Sequence, residues 1–374
     1  MVARNGILLP RFEGEYQMER QYEDIDILEI KRENQQLKQR ILEIQETLQS
    51  FYEAYSELIK KTQENADHIA LFSKYTQYLQ ANCANLKYEL MDPTNSPGVY
   101  FYPKFRSNEE TIRLIVEERK SLARFGDGEF SIAFNVARQK FQRMDDRLAM
   151  RIREVLTVEE PQNLLIGIAK QYGSLDRFNE ESAQGIRLYM TEEIRRQHQS
   201  LLSVNRVYSD AYITRPYVIY RDVFTDAPAK RFGALKQIWR DKRIILVEGA
   251  QTRLGVGNDL FEQARDVRRI IAPPTSSFDR YDEICRECLN RGDSADLFLL
   301  AIGPASGVLA YDLALQSYQA VDVGHIDLEY EWFLAGKGTR VSVPYKYNNE
   351  FTGGDRVDEI HDPVYDSQII VSFI

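Results

Sequence analysis

The sequence predicts an α/β protein with a doubly wound, mostly parallel β-sheet, preceded by a long helical segment. Two observations predict this organisation. Residues 15–91 contain neither glycine nor proline, which favours one continuous helix over the whole stretch. Beyond it, short and continuously aliphatic runs alternate with amphipathic helical patterns, as expected for strands that helical crossovers cover on both faces.

The helical segment, residues 1–91, has the pattern of a coiled coil. When the segment is divided into seven-residue repeats, one position of the repeat is apolar in nearly every repeat. The residues four places after it are a mixture of apolar and polar types. The mostly apolar position holds Ile30, Leu37, Ile44, Phe51, Leu58, Asn65, Phe72 and Leu79. A single helix cannot bury this seam, so we expect the segment to form a homo-oligomer, with Asn65 restricting the register. The alternative is a helical hairpin packed against the same chain.

A linker and an α/β domain follow. The linker, residues 92–110, begins with Asp-Pro-Thr-Asn-Ser-Pro-Gly, and residues 111–374 form the domain. Helices are predicted near 111–120, 145–156, 180–199 and 229–240. Strands are predicted at 121–125, 163–169, 243–248, 267–272, 296–302 and 319–323. Residues 203–227 show no clear element, and the Tyr- and Arg-rich region 200–230 is a candidate acceptor surface.

Composition argues against several classes of protein. The net charge of −9 argues against nucleic-acid binding, because phosphate contacts require clustered basic residues. Three cysteines are too few for a disulfide framework, and Cys285 and Cys288 lack the further ligands of a zinc site. No apolar run approaches the roughly 18 residues that span a membrane. We therefore expect a cytoplasmic protein without a membrane span.

The first predicted strand runs into Asp127 and Glu129, with a glycine before each. Ligands bind at the carboxyl ends of strands in open parallel sheets, and carboxylate oxygens suit Mg²⁺ or Mn²⁺. A cation held by two carboxylates would complete its coordination with substrate phosphates. The alternative is that Asp127 only caps the following helix. The spacing of the two residues does not separate these readings.

A glycine-rich loop, residues 249–259, follows the third predicted strand and leads into a predicted helix start at Asn258. Backbone amides, a helix terminus and an arginine could together hold a phosphate there, although an ordinary β–α turn remains the alternative. The residues expected to contact the phosphate are Gly249, Thr252, Arg253, Gly255, Gly257 and Asn258, together with Gly303 after a later strand.

The last predicted strand is followed by a segment rich in acids, residues 324–332. His325, Asp327 and Glu329 lie within it, and one of them could act as a general base on an incoming hydroxyl group. An acid or the histidine could instead bind the metal. A packed, hydrogen-bonded histidine is the alternative for His325.

Three motifs in order resemble the glycosyltransferases of the GT-D fold. They are Arg124-Phe-Gly-Asp-Gly-Glu129, Thr252-Arg-Leu-Gly-Val-Gly-Asn-Asp259 and Asp322-Val-Gly-His-Ile-Asp-Leu-Glu-Tyr-Glu-Trp332. The resemblance covers roughly residues 100–374, including the segment 345–349, and nothing comparable covers the first 91 residues. It implies a Rossmann-like fold and transfer of a sugar from a nucleotide donor, UDP-linked by expectation, to a glycan or glycosylated protein.

The resemblance also implies roles for individual residues. Asp127 and Glu129 match the metal-binding pair of the family, so the implied cofactor is Mn²⁺ or Mg²⁺ beside the donor diphosphate. The base is assigned by position to Asp327 or Glu329, with His325 behind them. Two other functions stay open: a metal-dependent hydrolase of nucleotide sugars or phosphosugars, and a non-catalytic nucleotide-binding scaffold.

Overall fold

The computed structural model describes residues 13–90, 101–136, 141–159, 162–348, 350, 354 and 357–374. In the first helix, side chains are described at 28, 29 and from 31 onward. Residues 1–12, the first part of the predicted linker (92–100), the side chain of Ile30 and Asn349 therefore lie outside the described residues. The chain divides into two compact units, Met1–Thr76 and Gln77–Ile374.

The first helix, α1, runs from Glu13 to Leu90 without interruption, as the absence of glycine and proline from residues 15–91 predicts. Every side chain from residue 31 to residue 75 is exposed, including the predicted seam from Leu37 to Phe72. Leu37 is 54%, Phe51 72% and Phe72 75% exposed. None of the helices among the described residues is long and apolar enough to cross a membrane.

The α/β unit confirms the predicted fold class. Its helices are α2 Asn108–Glu117, α3 Asp127–Ala133, α4 Asp146–Thr157, α5 Glu180–Tyr189, α6 Glu192–Leu201, α7 Ala227–Lys236, α8 Tyr281–Arg291, α9 Ala305–Leu315, α10 Ile326–Leu334 and α11 Pro363–Gln368. Its strands are β1 Lys104–Phe105, β2 Ser121–Phe125, β3 Leu164–Ile168, β4 Val207–Asp210, β5 Arg243–Gly249, β6 Asp266–Ala272, β7 Leu297–Ala301, β8 Gln319–Asp322 and β9 Ile369–Ser372. The described part of the predicted linker, 101–110, thus contains β1 and the start of α2.

The strands form one sheet in the order β1-β4-β3-β2-β8-β7-β5-β6-β9. Each pairing between these strands is parallel. The sheet therefore consists of a half from β1–β4 and a half from β5–β9, which join between β2 and β8. That join is where the strand order reverses, and such points are where open α/β sheets bind ligands.

The predicted helix at 180–199 is two helices in the structure. α5 ends at Tyr189, and Thr191 begins α6 by accepting a hydrogen bond on its hydroxyl from the amide of Ile194 at 3.3 Å. A threonine in this position caps a helix start and so favours a break in the preceding helix.

The end of α1 packs against α5 and α6 within the α/β unit. Glu89 pairs with Arg187 through two hydrogen bonds, at 2.7 and 2.9 Å. Asn85, which is 2% exposed, accepts a 2.5 Å hydrogen bond from Nη2 of buried Arg195. The guanidinium of Arg195 also lies 4.2 Å from the ring centre of Tyr88. Residues 77–90 thus belong to the folded domain, and the domain boundary predicted at residue 91 lies beyond the division at 76–77.

Candidate active site

The carboxyl ends of β2 and β8 meet where the two halves of the sheet join. Arg124 in β2 donates from Nε to the carbonyl oxygen of Asp322 and from Nη2 to its carboxylate, both at 2.7 Å. Its Nη1 donates to the carbonyl oxygen of Ala211, just after β4, at 3.0 Å. One guanidinium therefore fixes the ends of three strands around a common crevice.

Gly324, two residues after β8, lies directly against this guanidinium. Its φ is +47°, and a Cβ atom at this position would lie 2.1 Å from Nη2 of Arg124. The amide of Gly324 donates to the Asp322 carboxylate at 3.0 Å. Both the backbone conformation and the close approach therefore require glycine.

The two predicted metal ligands lie in the first turn of α3, immediately after β2. Asp127 is exposed and Glu129 is half-buried. Oε2 of Glu129 accepts a hydrogen bond from the amide of Gly126 at 2.7 Å, so this carboxylate also closes the start of the helix. Burial raises the pKa of Glu129; the bond from Gly126 opposes the shift, and the charges of Asp322 and Asp127 add to it.

This turn suits a hard divalent cation whose coordination shell is completed by a phosphate ligand. Among the residues that the structure describes, no group of three or more His, Cys, Asp or Glu side chains is arranged to hold a metal ion alone. Mg²⁺ and similar ions commonly use one or two protein carboxylates together with substrate phosphates. Exposed Asp127 beside half-buried Glu129 fits that arrangement, because the negative charge gathered here favours a cation.

His325 begins α10 at the same edge of the sheet. Its side chain is 40% exposed, and Nε2 lies 3.9 Å from Oε1 of Glu350. Glu350 also accepts hydrogen bonds from Arg215 and, at 2.8 Å, from Arg340. Burial alone would raise the pKa of Glu350, but Arg215, His325 and Arg340 hold it below its usual range. His325 therefore faces a charged carboxylate while remaining accessible from solvent.

Asp327 is buried, 2% exposed, and both of its carboxylate oxygens are engaged. Oδ1 accepts from the amide of Gly255 at 2.8 Å and from Nδ2 of Asn258 at 2.9 Å. Oδ2 accepts from Nζ of Lys346 at 2.6 Å, and this ammonium group also donates to Glu331 at 2.9 Å. The network ties the loop 249–259 to α10 and to the segment after it.

Glu329 is fully buried and binds backbone amides. Its Oε2 accepts from the amides of Tyr217 and Val218, each at 3.0 Å, and Oε1 lies 3.5 Å from Nε of Arg215. Burial raises the pKa of Glu329, while Arg215 and the two amides oppose the shift. Its geometry is that of a side chain that holds the 215–218 segment in place.

The amides of the loop 249–259 are largely engaged within the protein. Those of residues 250, 252, 254, 255, 256 and 258 donate to protein oxygens. The helix predicted to start at Asn258 is wrong: the described residues 250–264 form turns. Positive φ angles of +50° at Arg253, +72° at Gly255 and +83° at Gly257 keep the loop before Asn258 out of the helical conformation. Gly257 is the exposed member of this set.

Arg253 points into the protein, with 9% exposure. Its Nη1 donates to the carbonyl oxygens of Tyr345 at 2.6 Å and Asp358 at 2.8 Å. The side chain therefore fastens the C-terminal segment to the loop. Thr252 lies close to the end of β5, because a Cβ on Gly249 would be 3.2 Å from its Oγ1.

Gly303, after β7, lies beneath an aromatic side chain. Its φ is +65°, and a Cβ there would be 2.2 Å from the ring of Phe141. The Phe141 ring in turn packs against Tyr347 at a centroid distance of 5.6 Å.

The structure brings Asp127, Glu129 and His325 to the crevice edge and places Asp327, Glu329 and Arg253 inside the protein.

Arg124 and Asp322, which organise this edge, lie in two of the motifs quoted from the sequence but had no role assigned to them. An arginine inside an otherwise apolar five-residue strand was the available signal, because such a charge needs a partner when the strand is buried. Glu350 and Lys346 gave no comparable signal, since their partners lie in other elements.

Comparisons with known proteins agree with this architecture. A family model described as the glycosyltransferase GT-D fold matches residues 122–351. The chain is 32% identical over 268 residues to the probable glycosyl transferase Gly of Streptococcus gordonii, and 33% identical over 266 residues to the glycosyltransferase GlyD of Streptococcus pneumoniae. Each alignment covers 71% of this chain, but only 38% and 32% of those two proteins.

Solved structures match over a similar region. A new glycosyltransferase from Streptococcus sanguinis aligns with a TM-score of 0.68 and 31% identity, over 73% of this chain and 100% of that one. A second structure, of domain of unknown function 1792 with a distinct glycosyltransferase fold, aligns with a TM-score of 0.68 and 30% identity, over 72% of this chain and 95% of that one.

Proposed function

Because this chain belongs to the glycosyltransferases of the GT-D fold, we propose that it transfers a sugar from a nucleotide donor, UDP-linked by expectation, to a glycan or glycosylated protein. The observation that carries the proposal is the placement of two carboxylates, Asp127 and Glu129, at the join between β2 and β8. In open parallel sheets this is the position at which a nucleotide ligand binds.

Asp127 and Glu129 would hold Mn²⁺ or Mg²⁺ together with the donor diphosphate. When bound, such an ion supplies positive charge to the oxygens on which negative charge develops as the glycosidic bond breaks. Asp127 is the more accessible of the two, whereas Glu129 is oriented by its hydrogen bond from Gly126. Gly257, an exposed glycine of the loop 249–259, would be the glycine of this loop open to contact with the donor.

Among the three candidate bases, His325 is the best placed to accept the proton of the acceptor hydroxyl. It is half-exposed, whereas Asp327 and Glu329 are buried and their oxygens are engaged by amides and cations. Glu350 would orient the imidazole and favour its protonated form after proton transfer. Asp327 and Glu329 are then positioning residues that fix α10 beneath His325.

We propose further that α1 makes the protein a homo-oligomer. Its apolar series is exposed along 31–75, and a helix with an exposed apolar seam gains stability by pairing with another helix. A cytoplasmic location stays an expectation from the sequence.

The proposal is tested by incubating the full chain with UDP-sugars, Mn²⁺ and a panel of glycan acceptors. We expect acceptor-dependent release of UDP together with a glycosylated product. Release at the same rate with and without every acceptor would indicate a hydrolase, and tight UDP binding without turnover of any donor would indicate a scaffold.

A further inference from the structure

A buried histidine lies directly behind the helix that carries Asp127 and Glu129. His198, in α6, is 1% exposed. Its ring stacks on that of Phe130, the residue after Glu129, with a centroid distance of 3.8 Å and an interplanar angle of 22°. The imidazole is therefore in direct contact with α3.

Both ring nitrogens of His198 meet tyrosine hydroxyl groups. Nδ1 lies 2.7 Å from the hydroxyl of Tyr172, and Nε2 lies 3.0 Å from that of Tyr189. The Tyr189 hydroxyl in turn lies 3.5 Å from the backbone carbonyl oxygen of Asp127, to which it donates. A row of polar contacts thus leads from the loop after β3, through α6 and α5, to the backbone of the first residue of α3.

The position of each hydrogen in this row follows from the chemistry of the groups. A tyrosine hydroxyl has one hydrogen, so a Tyr189 that donates to Asp127 must accept from His198. Nε2 of His198 then carries the hydrogen, and Nδ1 accepts from Tyr172. Burial first, and then the charge of Arg195, lower the pKa of His198 to about 3. The imidazole is therefore neutral near pH 7, with the one donor and one acceptor that the row requires.

We propose that His198 is a positioning residue for the metal site, acting through Tyr189 on the backbone of Asp127 and through Phe130 on α3. The inference rests on the proposed metal role of Asp127. His198 touches no reacting atom; it sets the orientation of the turn from which the Asp127 carboxylate projects. Because the bond from Tyr189 to Asp127 is long, the expected effect of losing it is a several-fold weakening of metal affinity, short of abolition.

The test compares the affinity of the full chain for Mn²⁺ in the presence of UDP, by calorimetry, between the wild type and the Tyr189→Phe variant. Tyr318→Phe is the matched control, because the Tyr318 hydroxyl also donates to a backbone carbonyl at 3.5 Å, that of Leu289, away from this edge. We expect Tyr189→Phe to weaken Mn²⁺ binding about 3- to 10-fold, consistent with the loss of one weak hydrogen bond, and Tyr318→Phe to leave it unchanged.

Two substitutions of His198 complete the test. His198→Phe keeps a flat ring against Phe130 but removes both polar contacts, and should weaken Mn²⁺ binding at least as much as Tyr189→Phe. His198→Gln can donate and accept, and should restore part of the affinity. A histidine with only a packing role predicts that folded Tyr189→Phe and His198→Phe bind Mn²⁺ like the wild type, which would overturn the inference.

The hydrogen positions are tested separately on protein with ¹⁵N-labelled histidine. The chain has four histidines, so the ring signals of His198 are assigned by comparison with His198→Gln. We expect the neutral form with hydrogen on Nε2, and hydrogen on Nδ1 would overturn the proposed row. Failure of the wild type itself to bind Mn²⁺ with UDP would instead remove the proposed function, and with it the metal role on which this inference rests.

Discussion

Replacement of Asp327 by asparagine should destabilise the domain, because this carboxylate is one half of a buried ion pair. Asp327 is 2% and Lys346 5% exposed, with Nζ 2.6 Å from Oδ2. Breaking such a pair from one side costs about 3–5 kcal/mol, since the remaining charge stays buried. Glu331 still accepts from Lys346 at 2.9 Å, so we expect the lower end of this range, about 3 kcal/mol.

The assay is equilibrium unfolding in urea, supported by thermal unfolding. A loss of about 3 kcal/mol corresponds to a fall in Tm of roughly 5 °C for a unit as long as Gln77–Ile374, because the entropy of unfolding grows with chain length. Asp366→Asn is the matched control, because Asp366 is exposed and its neutralisation should change stability by less than about 0.5 kcal/mol. Adding Lys346→Met to Asp327→Asn removes the stranded ammonium group and should recover part of the loss.

A catalytic base at position 327 predicts a different result. Loss of a general base lowers kcat by about 10²–10⁴-fold without a required change in stability. If Asp327→Asn unfolds within 1 kcal/mol of the wild type and loses activity on that scale, the assignment of Asp327 to a positioning role is refuted.

Three further predictions concern other parts of the chain. Gly324→Ala should lower stability by about 1–3 kcal/mol in urea unfolding, because alanine is strained at φ +47° and its Cβ would collide with the guanidinium at the join; wild-type stability would contradict that geometry. Burial lowers the pKa of His198 to about 3 in the folded protein, against about 6.5 in the unfolded chain. The free energy of unfolding should therefore fall as the pH drops from 6.5 towards 3, by about 1.4 kcal/mol at pH 5.5, because the unfolded chain binds a proton that the folded protein does not. A His198→Gln variant should lack this part of the pH dependence. Deletion of residues 1–76 should lower the oligomer number in light scattering while preserving the Tm of the α/β unit. Deletion of residues 1–90 should also lower that Tm, because it exposes Arg195. An unchanged oligomer number after the first deletion would rule out the coiled coil.

The sheet could be predicted from the sequence because its central strands are continuously aliphatic. The six predicted strands are present, and the buried run of β7 is a clear example: all five of its residues are buried. Two of the three missed strands lack this signal, whereas β9, Ile369–Ser372, has three aliphatic residues and was not predicted. β1 has two residues, Lys104 and Phe105, and β4 ends in Ser209 and Asp210, whose polar groups resemble a loop in sequence.

The edge of the sheet at which the site lies could be predicted, but the roles of its acids could not. Topology brings the ends of β2 and β8 together, so Asp127 and His325 fall at one edge whatever their contacts. The role of Glu329 depends on the amides of Tyr217 and Val218, 112 and 111 residues away. Spacing within a motif carries no information on contacts of that kind.

The same limit applies to the glycine-rich loop. Its composition is typical of a phosphate-binding turn, yet Gly255 donates its amide to Asp327, and Arg253 donates to Tyr345 and Asp358. The glycines give this loop the positive φ angles that the internal bonds require. Direct contact of the loop with a donor phosphate stays a prediction.

The most direct test of the central claim is calorimetric titration of UDP into the full chain with and without Mn²⁺, for the wild type and for Asp127→Asn. Asp146→Asn is the matched control, because Asp146 is likewise an exposed aspartate at the first position of a helix, α4. We predict UDP binding that requires Mn²⁺ in the wild type and in Asp146→Asn and is lost in Asp127→Asn with unchanged Tm. Binding of UDP and Mn²⁺ by Asp127→Asn at wild-type affinity would contradict a metal site at the join of β2 and β8.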